Sequence, residues 1–414
     1  MKVIISHPTS NQNNRAAVKG LYNADMLSEF HTAIASFPGD MLDYLSKFDK
    51  FKDFSRRGFK IELKPYTYSH SVGEFRRLLA SKMHFNNLLK HETGWFSIDM
   101  IYQNLDKRVA NRIKKISGKD LDAVYSYEDC ALNSFKMAKE NGLVCLYDLP
   151  IGYWKSARKL LRDEIEKWPE WASTLTGFQD SEAKLQRKDD ELALADHIFV
   201  ASSFTAKTLE EYYGALAPIS VIPYGFPLPV EHREYKLQKK PLRLLFVGGL
   251  SQRKGIANMF AAVEKLIPHV ELTIVGSKMV DDCDALNKAL DKHTWIPSLS
   301  HDEVLKLMGT HDVFLFPSLF EGFGLVITEA MSQGTPVITT DRTAGPDLIK
   351  HKENGWIVEA GSTSSLQECI EYLMEHPEAV IEAGKAAIET ARSRPWTLYG
   401  KELAAAIQKH QFKT

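Results

Sequence analysis

LFEGFGLVITEAMSQGTPV, residues 319–337, sets Glu321 and Glu329 on either side of a turn that contains Gly322 and Gly324. It follows the β-branched and aromatic run DVFLFP (312–317) and leads into another, PVITT (336–340). Between the runs, residues 324–333 have helix-like apolar spacing that Gly334 stops, so the segment reads as strand, turn, helix, strand. The glycines remove side chains where the helix begins. The amides of Phe323, Gly324 and Leu325 are therefore expected to be unpaired donors that attract an anion.

The pattern continues on both sides. Strand runs LRLLFV (242–247) and VELTIV (270–275) alternate with helical segments at 255–266 and 301–309, which predicts a parallel sheet covered by helices. The first half repeats the theme less regularly, with strands expected at 2–6, 122–126, 142–148, 197–202 and 219–223. The Pro/Gly-rich stretch 222–242 has no periodicity and reads as the linker. The fold expected is α/β: two Rossmann-like, doubly wound domains facing a cleft, with residues just beyond the strands lining it.

Chemistry concentrates at those positions. FVGGLSQRKGI (246–256) follows a strand and brings Arg253 and Lys254 to a loop that opens a helix, a plausible grip for a diphosphate beside Gly249 and the glycine turn. A carboxylate competes with phosphate but accepts two O–H donors side by side, so the two glutamates suit neutral hydroxyl pairs. Glu321, in the turn, is assigned to a sugar; Glu329, further along the helix, is assigned to a ribose. Singly, each piece has an ordinary reading as a turn, a solvated face or a soluble loop. Together the charges sort as a nucleoside diphosphate sugar requires.

The 414 residues carry 52 Lys/Arg against 53 Asp/Glu, so no global field points to nucleic acid. No apolar run is long enough to span a membrane, and the N-terminus reads as a first strand with no export signal. Cys130, Cys145, Cys283 and Cys369 show no paired spacing, which fits free thiols in a reducing cytoplasm. No carboxylate/histidine cluster has metal-ligand spacing, so no metal or other cofactor is expected.

With EGFGLVITEAM, the following GTPV and Lys254-Gly255 in view, residues 242–340, and more loosely the whole chain, resemble glycosyltransferase family 4, retaining enzymes of GT-B fold. The resemblance implies transfer of a hexose from a nucleoside diphosphate sugar to a saccharide or lipid-linked acceptor, in polysaccharide or glycolipid biosynthesis, without a metal. It places the first glutamate at the hexose, the second at the ribose, and the base near a loop after a middle strand, here Trp295, Ile296 and Pro297. It also implies an acceptor-side domain at 1–225, a donor domain at 226–394, and a terminal helix within 395–414 that crosses back. Many members have Gly-Arg where this chain has Gly248-Gly249, which leaves that charge to Arg253 or to Arg15.

The loop after the first strand, SHPTSNQNNRAAVKGL (6–21), is expected to bring Asn14 and Arg15 to the cleft. His7, at the end of the strand, reads as structural. The loops 125–130 and 146–155 lack the histidine many members carry, so Glu128, Asp148 and Tyr153 are the acceptor-side candidates, with Asp148 orienting a hydroxyl or shaping a turn before Pro150. Residues 51–119 hold 15 Lys/Arg and 6 Asp/Glu, read as a solvated surface, as a contact with anionic lipid at the inner face of a membrane, or as a site for an acidic glycan. The helical run 155–168 carries a stripe of Ala157, Leu161, Ile165 and Trp168, expected to pack on a core. Rival readings are a nucleotide-sugar-binding protein without turnover, a nucleotide-sugar epimerase or a glycosyl phosphorylase.

Overall fold

The computed structural model describes residues 1–46, 48, 57–116, 120–235 and 241–409. Residues 51–56 and 117–119 of the basic stretch, 236–240 of the linker and 410–414 at the chain end lie outside the described residues.

Two parallel sheets form. The first has seven strands: β1 (Val3–Ser6), β2 (Leu27–Thr32), β3 (Thr67–Ser69), β4 (Ala123–Tyr127), β5 (Val144–Leu149), β6 (His197–Val200) and β7 (Ile219–Val221), in the order β3-β2-β1-β4-β5-β6-β7. The second has six: β8 (Leu242–Val247), β9 (Val270–Val275), β10 (Thr294–Ile296), β11 (Val313–Phe316), β12 (Val337–Thr340) and β13 (Gly355–Val358), in the order β10-β9-β8-β11-β12-β13. Strands buried on both faces read as unbroken apolar runs, and VIIS, VFLF and VITT are buried throughout.

The expected strand list omitted β2, β3, β10 and β13. β2 is LSEFHT, whose polar residues hid it: Glu29 is buried and takes a bidentate bond from Arg112 while contacting His31 at 2.9 Å. A strand of this kind is stable because long-range ion pairs satisfy its charges.

Strand order reverses between β1 and β4 in the first sheet and between β8 and β11 in the second. At such a switch point the loops leaving adjacent strands part and open a crevice. One apolar cluster joins the halves, running from Val3 and Tyr125 through Tyr224 and Phe226 to Phe316, Phe323 and Tyr399. The Trp396–Lys409 helix lies against the Gln12–Asn23 helix and contributes Leu403 and Ile407 to that cluster. The Trp154–Lys167 helix buries Leu161 beside Leu319 and Phe320, so its stripe packs against the second half of the chain.

Candidate active site

The loops after β8 and β11 meet at the second switch point. Ser251 accepts from the Arg253 amide and donates to the Thr174 carbonyl at 2.7 Å. Buried Gln252 donates to Glu164 at 2.9 Å and accepts from the Ala257 amide at 2.9 Å. The chain must then turn sharply into the Ile256–Glu264 helix, and Gly255 does so at φ 70° with its Cα facing the Pro317 carbonyl, where a Cβ would stand 2.1 Å from oxygen. No L side chain fits there.

This loop is tied to the next. Arg253 accepts at its carbonyl from the Leu319 amide at 2.9 Å, and its guanidinium donates to the Phe320 carbonyl at 2.8 Å. The Glu321 carboxylate receives Arg253 at 3.2 Å and bonds Lys254, both through Oε2. Lys254 also lies over the Phe316 ring, 4.8 Å from its centroid. Burial alone would push the Glu321 carboxyl up, but Lys254 and then Arg253 outweigh it and hold it below the usual range. Burial pulls the Lys254 ammonium down, with Glu321 opposing.

The Leu325–Ser332 helix begins at Gly324 with no side-chain cap, and among the described residues no protein acceptor takes the Phe323, Gly324 or Leu325 amides. One turn further, Glu329 is mostly buried, with His301 Nδ1 at 3.7 Å, and burial raises its carboxyl. Two cations, two carboxylates and a bare helix start thus share one switch point.

The turn itself differs from expectation. Gly322 and Phe323 were expected to face an open cleft; both are buried under the first half of the chain. The Gly322 carbonyl accepts Ser202 Oγ at 2.5 Å and Thr205 Oγ1 at 2.9 Å, and Phe323 packs on Tyr224 at 4.8 Å between ring centroids. The Glu321 amide donates to the Arg342 carbonyl in the loop after β12. Ser202, Thr205 and Arg342 were not among the candidates. Ser202 and Thr205 carry a local signal, since Ser202 also caps the Thr205 amide, but their reach to Gly322 spans the two halves.

Other candidates lie elsewhere. Trp295 and Ile296 belong to β10, an edge strand, and do not form a loop after a middle strand; Pro297 follows it. The Trp295 indole donates to the Gly276 carbonyl at 2.9 Å, and Lys278 lies over its ring. Gly249 stands at the end of β8, its carbonyl accepting the Ser251 amide. Asn14 is buried with its amide nitrogen on the Thr9 carbonyl at 2.9 Å and a buried Oδ1 that has no bond among the described residues. Arg15 does not join it. One residue along a helix turns the side chain by about 100°, and Arg15 lies over the Phe59 ring in a groove shared with Lys19 and Trp396. Arg253 is therefore the guanidinium at the glutamate, and Arg15 is not.

On the acceptor side the structure corrects two assignments. Tyr153 is fully buried, its hydroxyl donating to Asp189 at 2.9 Å, so it is a core residue and presents nothing to an acceptor. Asp148, at the end of β5, is 3% exposed and takes the Tyr125 hydroxyl at 2.5 Å, and does not meet open solvent where a hydroxyl would arrive. Burial pushes it up to about 7, Tyr125 opposing. Glu128 is also buried, 3.3 Å from Lys188, and burial raises it to about 7 against that lysine. His7 bonds Thr9 and meets the Tyr127 ring edge-on at 4.3 Å, and burial lowers it to about 4.

A raised folded pKa means the native state holds a proton that the unfolded chain has lost above its own lower pKa. The contribution is present in full below about pH 4 and is lost as pH rises through about 7. The Asp148 contribution is expected to be lost from the thermal midpoint between about pH 4 and pH 7, against the opposite contribution of neutral His7, and Asp148→Asn is expected to remove that loss. An Asp148→Asn profile as steep as that of the wild type excludes Asp148 as a source.

The grouping His91, Glu92 and Asp180 is remote in sequence from these loops, and Asp180 already takes Lys184 at 2.9 Å. No helix among the described residues is long and apolar enough to cross a membrane.

Comparison with known proteins follows the same division. Residues 229–394 match the family model described as Glycosyl transferases group 1. A capsular polysaccharide biosynthesis glycosyltransferase, CapM of Staphylococcus aureus, is 27% identical over 226 residues, 49% of this chain and 58% of that protein. The chain thus spans about half the length of such relatives, the next two being covered over 34% and 49%. Across 99% of the chain the structure resembles sucrose-phosphate synthase from Thermosynechococcus elongatus, with TM-score 0.66, 17% identity and 99% of that chain covered. It also resembles Anabaena HepE in complex with UDP, with TM-score 0.63, 14% identity, and 99% of this chain and 100% of that one covered. The architecture is GT-B: two Rossmann-like α/β domains.

Proposed function

We propose that the chain is a retaining glycosyltransferase that moves a sugar from a nucleoside diphosphate donor to a hydroxyl of a saccharide or lipid-linked acceptor. The observation that carries this is the convergence of Lys254, Arg253 and the uncapped start of the Leu325–Ser332 helix at one switch point, with Glu321 and Glu329 beside them. The match of 229–394 to group 1 glycosyl transferases supports the same reading.

In this reading the diphosphate lies against the amides of 323–325. As its bond to the anomeric carbon lengthens, negative charge builds on the departing phosphate, and Lys254 and Arg253 face it from a site held ready. Glu321 orients both cations through one carboxylate oxygen, and its other oxygen serves the sugar hydroxyls. Glu329 accepts the ribose hydroxyls. The acceptor attacks from the face that the phosphate leaves, and the phosphate takes its proton, so no strong side-chain base is required. The cations carry the role a metal ion would otherwise fill.

A thermal-shift screen of UDP, GDP, ADP and TDP, run with chelator, tests the donor site. One of them at 100 times its dissociation constant is expected to add about 2.7 kcal/mol. UDP leads the series because HepE is seen with UDP and with UDP-glucose. No shift with any of the four contradicts the reading. A shift with no nucleotide released in the presence of saccharide or lipid-linked acceptors makes the chain a binding protein, and epimerised sugar recovered from donor alone makes it an epimerase.

A further inference from the structure

Ala33, just past β2, and His70, just past β3, stand on the edge of the first sheet from which the loops of β1 and β4 also leave. They line a cavity of about 270 Å³ together with Arg76 of the Ser71–Lys82 helix, Trp95, and Asn104 and Arg108 of the Ile98–Ile116 helix. Among the described residues no carboxylate lines it, and Arg76 and Arg108 make no hydrogen bond or ion pair. The nearby acids are already taken: Glu74 by Arg57 and Arg77, each at 2.7 Å, Asp99 by Arg187, and Glu29 by Arg112. Two like charges thus share one small space with no counter-charge from these residues, and an anion between them would remove the repulsion.

His70 gives this space shape and not charge. Its Nε2 is 3.0 Å from His31 Nδ1, and His31 Nε2 is 2.9 Å from Glu29 Oε2, so a buried chain of bonds fixes the ring from behind. Burial, with His31 and Arg108 adding to it, lowers His70 to about 4, so the ring is neutral at neutral pH and the positive charge of the cavity belongs to the arginines. Trp95 is 78% exposed, and its indole has no ring partner among the described residues.

An indole face packs on the apolar face of a sugar ring, and a guanidinium fork matches the oxygens of a phosphate or a carboxylate. An inorganic anion uses the arginines and leaves the indole idle. A neutral sugar uses the indole and leaves the arginines facing each other. An acidic sugar uses both. The cavity is smaller than the roughly 300–1,000 Å³ of a whole small-molecule site, so it suits one unit of a longer ligand. Neighbouring strands stand about 4.8 Å apart, which sets β3 about 10 Å from β1 and the first switch point, a gap that an oligosaccharide spans.

We infer that this cavity is an acceptor subsite for an acidic sugar unit, its phosphate or carboxylate held by Arg76 and Arg108 and its ring against Trp95. The inference rests on the transferase reading above and names an acceptor class within it.

Titration calorimetry of the full chain, without nucleotide, against glucose, glucuronic acid, glucose 6-phosphate and inorganic phosphate tests it. At least one of the two acidic sugars is expected to bind at least about tenfold more tightly than glucose or inorganic phosphate, and which one does so tells carboxylate from phosphate. Arg76→Gln with Arg108→Gln is expected to bring that affinity down to the level of glucose. Trp95→Ala is expected to weaken the acidic sugar severalfold and to leave inorganic phosphate unchanged. Unchanged thermal midpoints and nucleotide shifts are expected to show intact variants. Glucose or inorganic phosphate bound as tightly as both acidic sugars, or variants that bind them as the wild type does, overturns the inference. Acidic sugar bound by a chain that no nucleotide shifts keeps the acidic-sugar site and removes the donor reading, whereas nucleotide shifts with no preference for acidic sugar remove the subsite alone.

Discussion

Lys254→Ala is expected to lower kcat for sugar transfer by about 10²–10³-fold, the loss typical of removing one preorganised group facing developing charge. Lys254 is mostly buried, rests on the Phe316 ring and is held by Glu321, so its position is set before a donor arrives. Its interaction grows as the phosphate departs, and the deficit belongs mainly to kcat, with a smaller change in KM. The same substitution leaves Glu321 buried with Arg253 as its remaining cation at 3.2 Å. Removing one partner of a buried pair costs about 3–5 kcal/mol when nothing replaces it, and Arg253 reduces that loss. Kinetics and thermal unfolding of the same preparation separate the two effects. A kcat within about threefold of wild type removes Lys254 from the transition state.

Gly322→Ala is expected to damage the molecule most for the smallest change in mass. A Cβ at this position would stand 1.9 Å from the Pro150 carbonyl oxygen and 2.7 Å from the Ile151 Cα. Both obstacles are backbone and neither has a rotamer to escape into, so the two halves must move apart. The Ser202 and Thr205 hydroxyls then lose the Gly322 carbonyl, and Glu321 moves with its turn. Overpacking of this kind costs about 3 kcal/mol. Thermal unfolding is expected to begin at lower temperature, with transfer activity falling in parallel. Ser202→Ala, which removes one of the two hydroxyls and adds nothing, is expected to cost only about 1 kcal/mol. A Gly322→Ala protein as stable as the wild type shows that the contact between halves is not tight there.

The second half of the chain was more legible than the first. LRLLFV and VELTIV became β8 and β9 at the expected residues, because strands of a parallel sheet covered by helices show as short, mostly apolar runs between helical segments. Glu321, Lys254 and Arg253 were legible for a related reason: residues just past such strands stand at the crevice by topology alone. β2 was not legible, since the partners that make Glu29 tolerable, His31 and Arg112, include one that arrives from 83 residues away. The same limit applied to Tyr153, whose polar hydroxyl suggested contact with a ligand but is satisfied by Asp189 in the core.

The amino-acid sequence by itself determined where β8, β9, β11 and β12 lie, and which charges follow β8 and β11. Those are local properties, set by side-chain period and by what glycine permits. Only the tertiary structure decided that Arg253 and not Arg15 meets Glu321, that Asp148 is sealed beneath Tyr125, and that Arg76 and Arg108 line one cavity. Each depends on which distant surface covers a side chain. Burial and ion pairing act through space, and the order of residues along the chain does not reveal them.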